Sequence, residues 1–136
     1  MPINWIHVLV TFLVSAFIAS FTDWYFFGVL FHDRYMKTPG IWKKYKDKKD
    51  EMRSIWISEA VMSVSLLVFV LVCAHTGWTT FSSSIQAALV FWIMIPLPLL
   101  VTNAIYIPMD RRIVMSHSLG WLARLLVTAC CLSLLL

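Results

Sequence analysis

The sequence predicts an all-α integral membrane protein, a four-helix bundle with a basic cytoplasmic loop between helices one and two. Its composition, four long apolar segments and uneven distribution of cations support this fold class. Of the 136 residues, 60% are hydrophobic and 13% are charged, and the mean hydropathy is +0.80. Soluble domains carry charge on about a quarter of their residues. Most of this protein's surface is therefore expected to face lipid.

The four apolar segments cover residues 4–31, 55–75, 85–108 and 113–136. Each is close to the ~20 residues that a helix needs to cross a bilayer. They are too long for strands and lack a two-residue alternation. Since backbone polar groups in lipid must be satisfied internally, helices are the structure that fits. We predict a single transmembrane domain over residues 1–136.

The cations predict the orientation. Eight of the 11 lie in the first loop, at Arg34, Lys37, Lys43, Lys44, Lys46, Lys48, Lys49 and Arg53, and two more, Arg111 and Arg112, form the third loop. The positive-inside rule places these loops in the cytoplasm and both termini outside it. Residues 1–20 contain no Lys or Arg, which argues against a cleaved signal peptide.

Small and polar residues on the first and last helices recur every three or four positions, which places them on one face of each helix. On helix one they are Ser15, Ala16, Ala19, Ser20 and Asp23, and on helix four His117, Gly120, Arg124, Thr128 and Cys131. Small residues allow helices to approach closely in lipid. We expect both faces to point into the bundle.

Arg124 and Asp23 are the predicted pair at the centre of the bundle. Arg124 lies 12 residues beyond Arg112, about 18 Å along a helix, where an unpaired cation costs at least ~2.5–3.5 kcal/mol. Glu59 and Asn103 lie at similar depth, and His117 lies nearer the cytoplasm. We predict that Asp23, Glu59, Asn103, His117 and Arg124 form an intramembrane polar binding site. The alternative is a structural ion pair that fixes helix order.

Other polar features have simpler interpretations. Pro96 and Pro98 predict a kink in helix three, because each removes a backbone donor. Cys73, Cys130 and Cys131 are an odd set within apolar runs, which favours core filling over a disulfide framework, a redox role or a metal site. The histidines lack metal-helix spacing, and no cofactor motif is present. We predict no metal and no cofactor, and catalytic residues stay unassigned.

The first loop is expected to contact the membrane surface. Lys43, Lys44, Lys46, Lys48 and Lys49 would meet anionic lipid headgroups. A specific lipid or protein site is the alternative for this loop. Its shortness and position beside the membrane argue against nucleic acid as a partner.

The run from Asp23 to Phe31, followed by Arg34-Tyr35-Met36, resembles a family of small bacterial membrane proteins known as domain of unknown function 1761. The resemblance includes an Asn-Trp near the N-terminus, here Asn4-Trp5, and a Trp-Tyr…Phe-Gly region that closes helix one. It implies the four-span layout and a bacterial plasma (inner) membrane, and it implies no activity.

Three functions remain open from the sequence. The first is binding or transport of a proton or the polar end of a small amphiphile, by a homodimer if the protein transports, since four spans are few for an aqueous pathway. The second is a membrane enzyme acting on a lipid-like substrate, with His117 or Glu59 as acid or base. The third is an accessory subunit of a membrane complex.

Overall fold

A computed structural model describes residues 3–33, 37, 45–108 and 110–136. The described residues form helices: α1 (Trp5–Asp23), a π-helical continuation of α1 (Trp24–Leu30), α2 (Lys48–Thr76), α3 (Phe81–Met94), α4 (Pro96–Tyr106) and α5 (Arg111–Leu135). Four continuous segments are long and apolar enough to cross a membrane: Trp5–Leu30, Lys48–Thr76, Phe81–Tyr106 and Arg111–Leu135. The predicted all-α, four-helix membrane fold is therefore confirmed.

Local polar contacts define several helix ends. The Asp47 side chain accepts a hydrogen bond from the Asp50 backbone N–H at 2.8 Å, so α2 begins within the basic loop rather than at the start of its apolar run. α2 ends at Gly77, whose φ of +74° lies in the left-handed region that glycine adopts without a Cβ penalty. The Asp110 side chain accepts from the Arg112 N–H at 2.8 Å and begins α5.

Two irregularities interrupt the spans. The third span is broken at Ile95, between α3 and α4, because Pro96 cannot donate to the Trp92 carbonyl. The predicted kink is present at this point. The first span becomes a π-helix directly after Asp23. Its i→i−5 bonding includes Phe31 N to Phe26 O at 3.1 Å, and none of Trp24–Leu30 is buried.

The C-terminal helix α5 lies at the centre of the bundle and packs against α1, α2, α3 and α4. Contacts between Asp23 and Arg124, and between Phe27 and Gly120, show that α1 runs antiparallel to α5. Ser84 reaches Ala129 and Trp92 reaches Ser118, so the third span also runs antiparallel to α5. The bundle is therefore an up-down-up-down arrangement.

The level of Asp23, Glu59 and Arg124 divides the bundle into two halves. The terminus-side half comprises residues 5–19, 66–76, 81–91 and 125–135, and the loop-side half comprises residues 24–30, 48–58, 96–106 and 111–120. The main apolar core lies in the terminus-side half. Its fully buried members are Val8, Ala19, Leu66, Phe69, Val70, Cys73, Ala87, Ala88, Leu125, Ala129 and Leu132.

Candidate functional site

Three charged side chains from three helices meet at the boundary between the halves, and we call them the charged triad: Asp23, Glu59 and Arg124. The Nη2 atom of Arg124 donates to Oδ2 of Asp23 and to Oε2 of Glu59, the latter at 2.7 Å. The Arg124 side chain is 1% exposed, Asp23 5% and Glu59 26%. The Asp23–Arg124 pairing expected from the sequence is present, and Glu59 joins it.

The local sequence explains why these side chains point inward. The buried residues of α1 are Val8, Thr11, Ser15, Ala19 and Asp23, which recur every three or four positions. Gly120, Arg124 and Thr128 form the facing stripe of α5, all buried. Small residues on both stripes bring the two backbones together. Asp23 and Arg124 therefore meet at the point where two narrow helix faces cross.

The triad carries an excess of negative charge. With all three groups ionised, two carboxylates face one guanidinium, which gives a formal balance of −1. Both carboxylates contact the same nitrogen, so they also lie close to each other. A net charge held away from water is costly unless another positive charge neutralises it. The arrangement is therefore suited to taking up one proton or one small cation.

The triad also has unused hydrogen-bonding capacity. Arg124 Nε, Arg124 Nη1 and Asp23 Oδ1 are buried and have no hydrogen-bond partner among the described residues. Buried polar atoms in proteins are normally paired. Two donors and one acceptor thus remain for water or for a ligand's polar group.

Phe27, Gly120 and His117 adjoin the triad on its loop side. A Cβ atom placed on Gly120 would lie 3.5 Å from Phe27 Cζ and 4.0 Å from Asp23 Oδ1. The Phe27 ring lies against the His117 imidazole, with ring centroids 4.8 Å apart. His117 therefore lies on the loop side of the triad, in contact with Phe27.

Asn103, the fifth predicted site residue, is not joined to the triad by any hydrogen bond among the described residues. It lies half-buried on α4, where Pro96 is the buried residue and the rest of the helix is more open. The structure thus brings together three of the five predicted residues and places a fourth beside them. Their role as a binding site stays a prediction.

Sequence reasoning did not single out Phe27 or the participation of Glu59 with Arg124. The available signal for Phe27 is its position one helical turn after Asp23. A glutamate near a helix end can reach water, so sequence position alone is compatible with a structural role for Glu59 and with a role in the site. Its choice of partner depends on how α2 crosses α1 and α5, which one sequence does not specify.

The remaining candidates take ordinary positions. Cys73 and Cys131 are buried and Cys130 is half-buried, all as free thiols. Within the described residues, no three His, Cys, Asp or Glu side chains are grouped so that they could hold a metal ion. Lys46, Lys48 and Lys49 are exposed, whereas Lys43 and Lys44 lie outside the described residues.

Comparison with known proteins gives a family. No curated protein and no solved structure matches the chain. The family described as "Protein of unknown function (DUF1761)" matches residues 10–133, which include the second and third spans, most of the first and fourth, and the whole charged triad. The resemblance seen in the first span therefore extends over nearly the whole chain, and the protein belongs to the DUF1761 family.

Proposed function

We propose that this protein binds a proton at the charged triad and carries it across a bacterial plasma membrane. The observation that supports this proposal is the contact of two carboxylates with one buried guanidinium nitrogen. Ionisable groups within membrane-spanning helices are functional candidates because they are costly to keep there. A proton shared between the two acids is the smallest ligand that neutralises the site.

Glu59 is the acid from which we expect the proton to leave the triad. It is 26% exposed, whereas Asp23 and Arg124 are almost fully buried. A proton on Glu59 weakens its attraction to Arg124, and the fixed Asp23–Arg124 pair then holds the remaining charges. In this proposal Glu59 is the mobile residue of the site, and Asp23 and Arg124 form a fixed pair.

Proton flux into proteoliposomes that contain a pH-sensitive dye tests the proposal. Wild-type protein should acidify the lumen under an imposed membrane potential, and Asp23→Asn, Glu59→Gln and Arg124→Gln should each abolish the flux. Glu51→Gln is the matched control, because Glu51 is an exposed acid on the same helix as Glu59. Flux that is insensitive to all three triad variants would overturn the proposal.

An architectural role is the main competitor, and a charge exchange separates the two. The double variant Asp23→Arg with Arg124→Asp keeps an ion pair at the same crossing but changes its position relative to Glu59. If this variant folds and restores flux, the pair serves helix order. Restored folding without flux supports the functional assignment.

The polar end of a small amphiphile is a second candidate ligand, favoured by the unpaired donors Arg124 Nε and Nη1. A neutral head group that accepts from Arg124 and donates to Asp23 Oδ1 would complete the site. Mass spectrometry of protein in native nanodiscs tests this candidate. A lipid-like species that stays bound in wild type and is lost in Arg124→Gln supports it, and equal retention in both removes it.

Three further proposals concern the orientation of the protein, its contacts with lipid headgroups and its oligomeric state. We place the basic loops in the cytoplasm and both termini outside it, since ten of the 11 cations lie in the first and third loops. Lys43, Lys44, Lys46, Lys48 and Lys49 would contact anionic headgroups, and binding to phosphatidylglycerol vesicles that falls with salt tests this contact. Transport by four spans favours a homodimer, which mass measurement in nanodiscs would detect.

A further inference from the structure

We infer that Phe27 is a gate that separates His117 from Asp23 and so controls proton entry to the triad from the loop side. The inference rests on the proposed proton-binding function. It assigns a role to each of two residues outside the triad. His117 is the relay that passes a proton towards Oδ1 of Asp23, and the Phe27 ring is the barrier between them.

Three observations define the position of the proposed gate. Asp23 Oδ1 is buried and has no hydrogen-bond partner among the described residues, so it is the acceptor available on this side of the triad. It lies 4.0 Å from the point where a Gly120 Cβ would be, and Phe27 Cζ lies 3.5 Å from the same point. The Phe27 ring also meets the His117 ring, at a centroid separation of 4.8 Å.

His117 is suited to a relay by position and chemistry. It lies six residues after Arg111, about 9 Å along α5 from its start. It is seven residues before Arg124, two turns away on the same face of the helix. An imidazole takes a proton on one nitrogen and releases one from the other. A proton from hydronium on the loop side adds to one His117 nitrogen, and the proton on the other nitrogen passes to the Asp23 carboxylate at Oδ1. The imidazole is then left as the opposite tautomer, and rotation of the ring resets it for the next proton.

The segment that carries Phe27 has the means to move. Trp24–Leu30 is π-helical and contains no buried residue, so its repacking disturbs no core contact. Conversion of one π turn to an α turn changes the number of residues per turn, which rotates the side chains that follow Asp23. Such π segments occur frequently at functional sites. Rotation of Phe27 away from Gly120 would open the route between His117 and Asp23.

Two substitutions act in opposite directions on this gate. Phe27→Ala removes the barrier and should raise proton flux about tenfold, the change expected when a barrier falls by about 1.4 kcal/mol. Gly120→Ala places a methyl group between Phe27 and Asp23 at ordinary contact distances, so the protein should fold and its flux should fall. Phe21→Ala is the control, because Phe21 is an exposed aromatic residue of α1.

Wild-type or lower flux from folded Phe27→Ala would overturn the gate. The relay is tested by His117→Gln in both backgrounds. We expect a loss of flux when Phe27 is present and little change in Phe27→Ala, where water reaches Asp23 directly. An equal proportional loss in both backgrounds contradicts the assignment of Phe27 as the barrier after His117.

A chemical readout separates the gate from the transport proposal. A water-soluble carbodiimide modifies carboxyl groups, and mass spectrometry reports the adducts at Asp23 and Glu59 of the same molecule. Phe27→Ala should raise the Asp23-to-Glu59 adduct ratio, and Gly120→Ala should not. If the wild-type protein carries no protons but Phe27→Ala raises this ratio, Phe27 is a barrier to Asp23 and the transport proposal is wrong. An unchanged ratio rejects the gate whatever the flux.

Discussion

The terminus-side and loop-side halves of the bundle are held together by different forces. The terminus-side half buries large apolar side chains on α2, including Leu66, Phe69 and Val70, in one cluster with residues of α1, α3 and α5. In the loop-side half, the buried side chains of α5 are Ile113, Ser116 and Ser118, and neither the π segment nor the first part of α2 buries any residue. The triad lies at the boundary between the half with the apolar core and the half with few buried side chains.

This difference separates stability from function within one short chain. Dense packing has few alternative arrangements, so the terminus-side half is suited to fixing helix order. Regions with few buried contacts open at low free-energy cost. The loop-side half is therefore the part that can admit water, a proton or a ligand to the triad without loss of the fold.

The largest effect on stability is expected for Arg124→Gln. This change leaves Asp23 and Glu59 close together without their shared cation, and breaking a buried ion pair from one side costs about 3–5 kcal/mol. Reversible unfolding of the protein in bicelles measures the loss.

The matched rescue combines Arg124→Gln with Asp23→Asn and Glu59→Gln, which removes all three charges. Most of the stability should return, because neutral amides remain to share hydrogen bonds. If Arg124→Gln alone lowers the free energy of unfolding by less than about 1 kcal/mol, the triad is not essential to the junction of the two halves.

The next largest effect is expected for Phe69→Ala in the terminus-side half. Phe69 is 1% exposed and its ring packs edge-to-face on Phe91 at 5.2 Å. Its removal should cost about 3 kcal/mol through lost packing and a cavity, while proton flux stays near wild type. Val68→Ala, a neighbouring lipid-facing change, should leave stability almost unaltered. Similar losses for the two variants would show that the terminus-side half is not the packed core.

Much of this fold could be predicted from the sequence because lipid imposes simple rules. The length of each apolar run, the cations of the loops and the Pro96 kink follow from local chemistry. Asp23 and Arg124 could also be paired, since a buried cation demands a partner and each lies on a stripe of small residues.

The rest depended on how the helices cross. The sequence around Trp24–Leu30 carries no signal for a π-helix, because its residues are aromatic, aliphatic or glycine and show no periodicity that could separate an α turn from a π turn. Asn103 lies 11 residues beyond Trp92, which reaches Ser118, and only three residues before the end of α4, so it lies closer to the loop than the triad does. The depth of one helix relative to another depends on how the two spans are staggered, which is set by tertiary packing.

A smaller and more local effect is expected for Glu59→Gln. Glu59 Oε2 accepts a hydrogen bond from Arg124 that links α2 to α5. Weakening this bond should lower the free energy of unfolding by about 1 kcal/mol, within the range for polar contacts in membranes. Hydrogen exchange should accelerate for residues 48–60 and stay slow for residues 66–76. Glu51→Gln should change neither region. Equal acceleration along all of α2 would mean that the two halves are not independent.

The smallest effect is expected for Ser84→Ala, which tests whether polar contacts matter in the packed half. Ser84 Oγ lies 3.0 Å from the Ala129 carbonyl and 3.2 Å from the Phe81 carbonyl of its own helix. Hydrogen bonds between membrane helices average about 0.6 kcal/mol, and the alanine methyl preserves the close approach of α3 to α5. Unfolding in bicelles should show this small loss for Ser84→Ala and none for the exposed Ser82→Ala. A loss above about 2 kcal/mol would place polar contacts, rather than apolar packing, at the centre of the terminus-side half as well.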